Sequence, residues 1–127
     1  MESKSLALLI RELADSKKAE NISILDVRGL STELDYFVIA TGSSEPHLRA
    51  IVDEISVKVE EATGDQPRAV DGRVSTPWIV LDYFDVIVHV MRAEVRARYD
   101  LESLWGDAAR VRPARKRVAK PKTAPAV

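Results

Sequence analysis

Leu6, Leu9, Ile10 and Leu13 recur at i, i+3, i+4 and i+7, with Arg11, Glu12 and Asp15 on the other face. That spacing predicts an amphipathic helix over residues 4–18. Asn21 to Arg28 is rich in Ile, Leu and Val and reads as a strand, and Gly29-Leu30-Ser31-Thr32 turns the chain. Asp35 to Thr41 (DYFVIAT) is an aromatic and β-branched run that predicts a buried strand. Gly42-Ser43-Ser44 breaks it, and Pro46 falls where a first helical turn tolerates proline. Leu48, Ile51, Val52, Ile55 and Val59 form a second helical stripe over residues 45–62, which Gly64 ends. A short strand, Arg68 to Asp71, and a loop over 72–77 follow. Trp78 to Leu81 and Val86 to Met91 are apolar strands flanking Asp82-Tyr83-Phe84-Asp85. Four residues with Asp at both ends suit a hairpin turn built on type I. A last helix over 93–105 carries Val95, Tyr99, Leu101, Leu104 and Trp105, with a kink near Asp100 where the apolar spacing shifts.

The order is α-β-β-α-β-β-β-α. Short mixed connections and long helices imply an α/β fold with a single mixed β-sheet and helices packed on it. Residues 36–41 and 86–91 are apolar at successive positions, so both sheet faces are expected to be covered. At 127 residues and 46% apolar, the chain suits one globular domain. It has no cysteine, which removes disulfides, thiolate zinc sites and a cysteine nucleophile. No apolar run approaches the roughly 18 residues needed to span a bilayer. The opening Met1-Glu2-Ser3-Lys4 leads straight into a pattern containing Glu12 and Asp15, without a signal core, so a cytoplasmic protein is expected.

Charge divides the chain in two. Residues 107–127 hold seven basic residues against one acid, a net +6, whereas residues 1–106 hold twelve against nineteen, a net −7. The tail also has Pro113, Pro121 and Pro125 and no large apolar residue beyond valine, so it is expected to be disordered. Its clustered charge suits RNA phosphate contact through Arg112, Arg115, Lys116, Arg117 and Lys120, or simple solubilisation.

Candidate catalytic chemistry is thin. A strand–Gly42-Ser43–helix turn can cradle phosphate, but a serine-capped helix start explains it as well. Nucleotidyltransferases pair such a turn with two carboxylates a residue apart on the next strand, to hold metal. Here a helix follows directly, and its Asp53 and Glu54 are adjacent and point to different azimuths. Asp82 and Asp85 could act as an acid/base pair, yet they bracket a turn, where aspartate commonly satisfies backbone donors. His47 and His89 show no metal-ligand spacing, and a Ser43–His–Asp triad has nothing beyond its residue types to recommend it. His89, inside an apolar strand, reads as a core or edge residue. Trp78, Tyr83, Tyr99 and Trp105 gather toward the hairpin and last helix, beside Asp82, Asp85 and Arg96. Core packing accounts for part of this group; a protein interface, which enriches Trp, Tyr and Arg, accounts for it too.

Two blocks resemble the ribosomal silencing factors, the Iojap family. The first is Leu25-Asp26-Val27, then Asp35-Tyr36-Phe37-Val38-Ile39-Ala40-Thr41-Gly42-Ser43-Ser44 and His47. The second runs from Trp78-Ile79-Val80-Leu81-Asp82-Tyr83 through Asp85-Val86-Ile87-Val88-His89-Val90-Met91, Arg96, Tyr99 and Leu101-Glu102 to Leu104-Trp105-Gly106-Asp107. Together they cover residues 5–107. The resemblance implies a nucleotidyltransferase-like core without catalytic carboxylates, no enzymatic activity and no cofactor. It implies binding to the large ribosomal subunit through its ribosomal protein number fourteen, sterically blocking joining with the small subunit and repressing translation. It also implies a homodimer when free. A large-subunit assembly factor, or a nucleotide-binding enzyme on the same fold, are the alternatives. The expected partner-binding residues are Trp78, Asp82, Tyr83, Asp85, His89, Arg96 and Tyr99. A domain of net −7 suits a basic ribosomal protein. Two positions depart from the family pattern: Phe84 stands where glycine is usual in the hairpin, and Glu45-Pro46 replaces Ser-Arg before His47. Phe84 therefore implies either a different turn type or an added apolar contact.

Overall fold

A computed structural model describes residues 1–72, 76–104, 106 and 108–111. Its elements are α1 (Ser3–Ser16), β1 (Glu20–Asp26), β2 (Tyr36–Thr41), α2 (Glu45–Thr63), β3 (Ala69–Asp71), β4 (Trp78–Asp82), β5 (Val86–Met91), α3 (Ala93–Tyr99), α4 (Leu101–Leu104) and β6 (Ala109–Arg110). The strands form one sheet in the order β3-β4-β5-β2-β1-β6. β2 and β5 pair in parallel, and every other neighbouring pair is antiparallel. The single mixed sheet expected from the sequence is therefore present.

The helices start and stop where their chemistry directs. Ser44 Oγ accepts the His47 N–H at the head of α2, and Pro46 occupies its first turn. Gly64, at φ +80°, closes it with a left-handed cap whose N–H reaches Glu60 O. The buried stripes, Ala7, Ile10 and Ala14 on α1 and Leu48, Ile51, Val52, Ile55 and Val59 on α2, lie against one sheet face. That face is built from alternate strand positions: Tyr36, Val38 and Ala40; Val86, Val88 and Val90; Ile79 and Leu81.

The opposite face differs from expectation. Among the described residues, only α3, α4 and nearby loops lie on it, over a smaller core of Leu25, Val27, Ile39, Met91 and Val95. Apolar residues at successive positions do mark two apolar faces, but they do not show that both are fully covered. The rest of this second face is half-open.

Three boundaries also shift. The first strand ends at Asp26, because Val27 N–H turns to Asp35 O and the next residues fold back on Val27 O. The last helix divides at Asp100, at φ 42° and ψ 58°, which turns the expected kink into a break between α3 and α4. The chain after residue 107 contributes β6, which pairs with the outer edge of β1, and Val111 N–H reaches Ile24 O. An otherwise open edge is thereby closed. Residues 112–127, Trp105 and Asp107 lie outside the described residues.

Candidate protein-docking face

The half-open face is lined by outward positions of three adjacent strands. Phe37 of β2, Ile87 of β5, and Trp78 and Val80 of β4 are each half-buried, and His89 lies among them at 9% exposure. The ring of Phe37 is 5.4 Å from His89, that of Trp78 is 5.8 Å from His89, and Trp78 is 5.0 Å from Tyr99 of α3. Tyr99 itself is exposed. The Trp78 indole N–H donates to His89 Nδ1 over 3.0 Å. Burial pushes the His89 pKa down to about 4, so the ring is neutral at physiological pH and carries its proton on Nε2. Beside Trp78 runs a groove of about 420 Å³, lined by Asp71, Thr76, Pro77, Val95, Arg98 and Tyr99 among others.

The structure divides the sequence-predicted residues. Trp78, His89 and Tyr99 come together on this face. Tyr83 does not: it is buried on the helix side, with its hydroxyl beside Ser56 and its pKa pushed up by burial to about 12. Arg96 faces inward. Its guanidinium pairs with Glu102 at 2.7 Å and donates to Thr41 and Ser23. These contacts, the Arg96 bond foremost, hold the Glu102 carboxyl below the usual range. Arg96 thus fastens α3 and α4 to the sheet. Arg112, Arg115, Lys116, Arg117 and Lys120 lie outside the described residues. Phe37, Val80 and Ile87 were not singled out from the sequence. Their signal is the odd-even phase of three strands, which becomes readable only once the helix-covered phase is known.

Asp82 and Asp85 are not a catalytic pair. Asp82 accepts the Phe84 N–H through Oδ1 at 2.8 Å, and its Oδ2 is 3.0 Å from Arg68 Nε. Asp85 donates its N–H to Tyr83 O, and its own carbonyl accepts from Asp35 and Tyr36. The turn is therefore tighter than the expected four-residue type I form. Tyr83 N–H bonds Val86 O, and a three-residue γ-turn centres on Phe84 at φ +74°. Of the two expected outcomes, the different turn type occurs; the contact that Phe84 adds is not apolar but a cation–π one, with the Arg68 guanidinium 4.1 Å from the ring centroid.

The Gly42-Ser43 turn is engaged internally. Ser43 N–H donates to His47 Nδ1 at 2.9 Å, and His47 Nε2 lies 2.7 Å from the Lys17 carbonyl. With Nδ1 accepting, Nε2 carries the proton and donates to that carbonyl. The ring thus ties the end of α1 to the start of α2, and no carboxylate completes a triad with Ser43. A Cβ on Gly42 would stand 2.6 Å from Leu48 Cδ2, so close helix–strand packing explains the glycine. Among the described residues, no group of three or more His, Asp or Glu side chains could hold a metal ion, and no helix is long and apolar enough to cross a membrane.

Comparisons with known proteins show what the chain is similar to. Residues 1–126 match the family model described as "Ribosomal silencing factor during starvation". The chain is similar to the ribosomal silencing factor of Bacillus subtilis, 39% identical over 108 residues that span 85% of this chain and 91% of that protein. It is also similar to mouse "Mitochondrial assembly of ribosomal large subunit protein 1", 29% identical over 76% of this chain and 43% of that protein. A crystal structure from Chromobacterium violaceum superposes with a TM-score of 0.79 at 31% identity, covering 95% of both chains. One from Bacillus halodurans gives 0.74 at 34% identity, over 87% of this chain and 99% of that one.

Proposed function

Because the chain belongs to the ribosomal silencing factor family, we propose that it docks on the large ribosomal subunit through the half-open sheet face and blocks subunit joining by occupancy. The single observation that carries this reading is the face itself. Trp78, His89, Phe37, Val80 and Ile87 leave apolar surface partly in water, on a small domain whose other sheet face is largely buried under α1 and α2. A Trp held in place by a hydrogen bond is a pre-ordered anchor of the kind that dominates interfaces. In this reading the partner is ribosomal protein number fourteen, the acidic body steers the encounter, and the basic tail lies along ribosomal RNA. The protein works in the cytoplasm, is a homodimer when free, and keeps a nucleotidyltransferase-like scaffold for its surface rather than for chemistry.

Sedimentation with purified large subunits tests the docking. The protein is expected to co-sediment. Trp78→Ala should lose at least about 2 kcal/mol of affinity, whereas Asp53→Ala, on α2 across the sheet, should bind normally. Equal binding by both variants refutes this face as the docking site. A second reading, an assembly factor for the large subunit, is favoured by the name of the mouse relative. It uses the same face and differs in timing: binding would leave the joining of mature subunits intact.

A further inference from the structure

We propose that the tip of the β4–β5 hairpin is a seat for an arginine or lysine side chain of the ribosomal protein partner, formed by the Phe84 ring and the Asp85 carboxylate. The proposal rests on the docking reading above.

Phe84 sits at φ +74°, where a side chain is strained and glycine is not. The residue is 59% exposed, so core burial does not offset that strain. The ring is nonetheless held. The Arg68 guanidinium stacks 4.1 Å from its centroid, Arg68 Nε pairs with Asp82 Oδ2, and Asp82 Oδ1 takes the Phe84 N–H. Two side chains, Arg68 and Asp82, thus fix an aromatic ring in solvent, the arrangement expected of a pre-ordered contact.

Charge at the tip selects the occupant. Arg68 neutralises Asp82, while the exposed Asp85 carboxylate beside Phe84 makes no hydrogen bond or ion pair among the described residues. A cation can lie over the rest of the Phe84 ring and pair with Asp85. A phosphate would meet Asp85 repulsively, which disfavours an RNA occupant. The tip adjoins the docking face, since Trp78, Val80 and Asp82 are alternate positions of β4 and Phe84 follows in the turn that β4 enters.

The test uses the full-length protein and purified large subunits. Phe84→Gly should keep or raise Tm, because it relieves the strained φ, and should weaken binding roughly tenfold. Asp85→Asn should weaken it too, and the double variant should lose less than the two losses combined. A photoreactive phenylalanine analogue at position 84 should crosslink to a ribosomal protein. Wild-type affinity in Phe84→Gly overturns the seat, and crosslinking to ribosomal RNA overturns its occupant. If Trp78→Ala abolishes binding while Phe84→Gly does not, the seat fails and the docking face stands. If the wild-type protein does not bind large subunits, both fail.

Discussion

The Trp78 indole donates to His89 Nδ1 from a neighbouring ladder position: Trp78 pairs with Met91 and His89 with Val80. This diagonal bond gives the docking face a fixed indole and a fixed imidazole tautomer at once. Protonation of Nδ1 would remove the acceptor and place a charge between two aromatic rings.

The protein should therefore weaken in mild acid. The stability contributed by neutral His89 is fully present above the ordinary imidazole pKa of 6.5 and is lost as pH falls toward about 4. The loss across that window is roughly 3 kcal/mol. Urea unfolding at stepwise pH should show a slope that His89→Gln removes. In the folded protein, tryptophan emission should shift around pH 4, where His89 itself takes up its proton.

A second acid-sensitive contact operates lower. Arg96 and Glu102 are 12% and 17% exposed and pair at 2.7 Å, with Ser23 and Thr41 completing the network. Arg96→Ala should cost about 3 kcal/mol, because it leaves a largely buried carboxylate with only Ser23 and the exposed Arg110 as partners. Glu102→Gln should cost less, since its amide oxygen can still accept. Glu102 has a depressed pKa, so its contribution is present above about 4.5 and is lost below it, as pH falls through the folded value. Denaturation midpoints at neutral pH and below pH 4.5 separate the two effects.

Gly42→Ala distinguishes packing from phosphate binding at the β2–α2 turn. The added methyl would stand 2.6 Å from Leu48 Cδ2, so this fully buried side chain would have to repack. The expected cost is about 1–3 kcal/mol in unfolding free energy, with no change in binding to large subunits beyond that from the unfolded fraction. Unchanged stability would show that Leu48 yields and that close packing is not what requires the glycine.

Both long helices and all five main strands were legible in the sequence, because stripes and alternation are local signals; the altered turn at Phe84 was legible only against the family pattern, where glycine is usual. Three things depended on non-local geometry. Tyr83 reads as an interface tyrosine beside two aspartates, yet the strand phase sends it under α2. Arg96 reads as an interface arginine, yet Glu102, six residues on, returns through the break at Asp100 to capture it. β6 was hidden by tail composition, since Ala109-Arg110 forms a strand only because the β1 edge is there to pair with.

The tail beyond β6 has its own test. Protein lacking residues 112–127 should bind large subunits more weakly at low salt, with a shallower salt dependence than the full chain. Unchanged affinity and slope would remove the RNA contact from the account.

The central claim is that docking excludes the small subunit. Purified large subunits saturated with this protein are mixed with small subunits and resolved by sedimentation. The account predicts protein in the large-subunit fraction and loss of the joined peak, with joining restored when Trp78→Ala replaces the wild type. A full joined peak with wild-type protein still bound would contradict it.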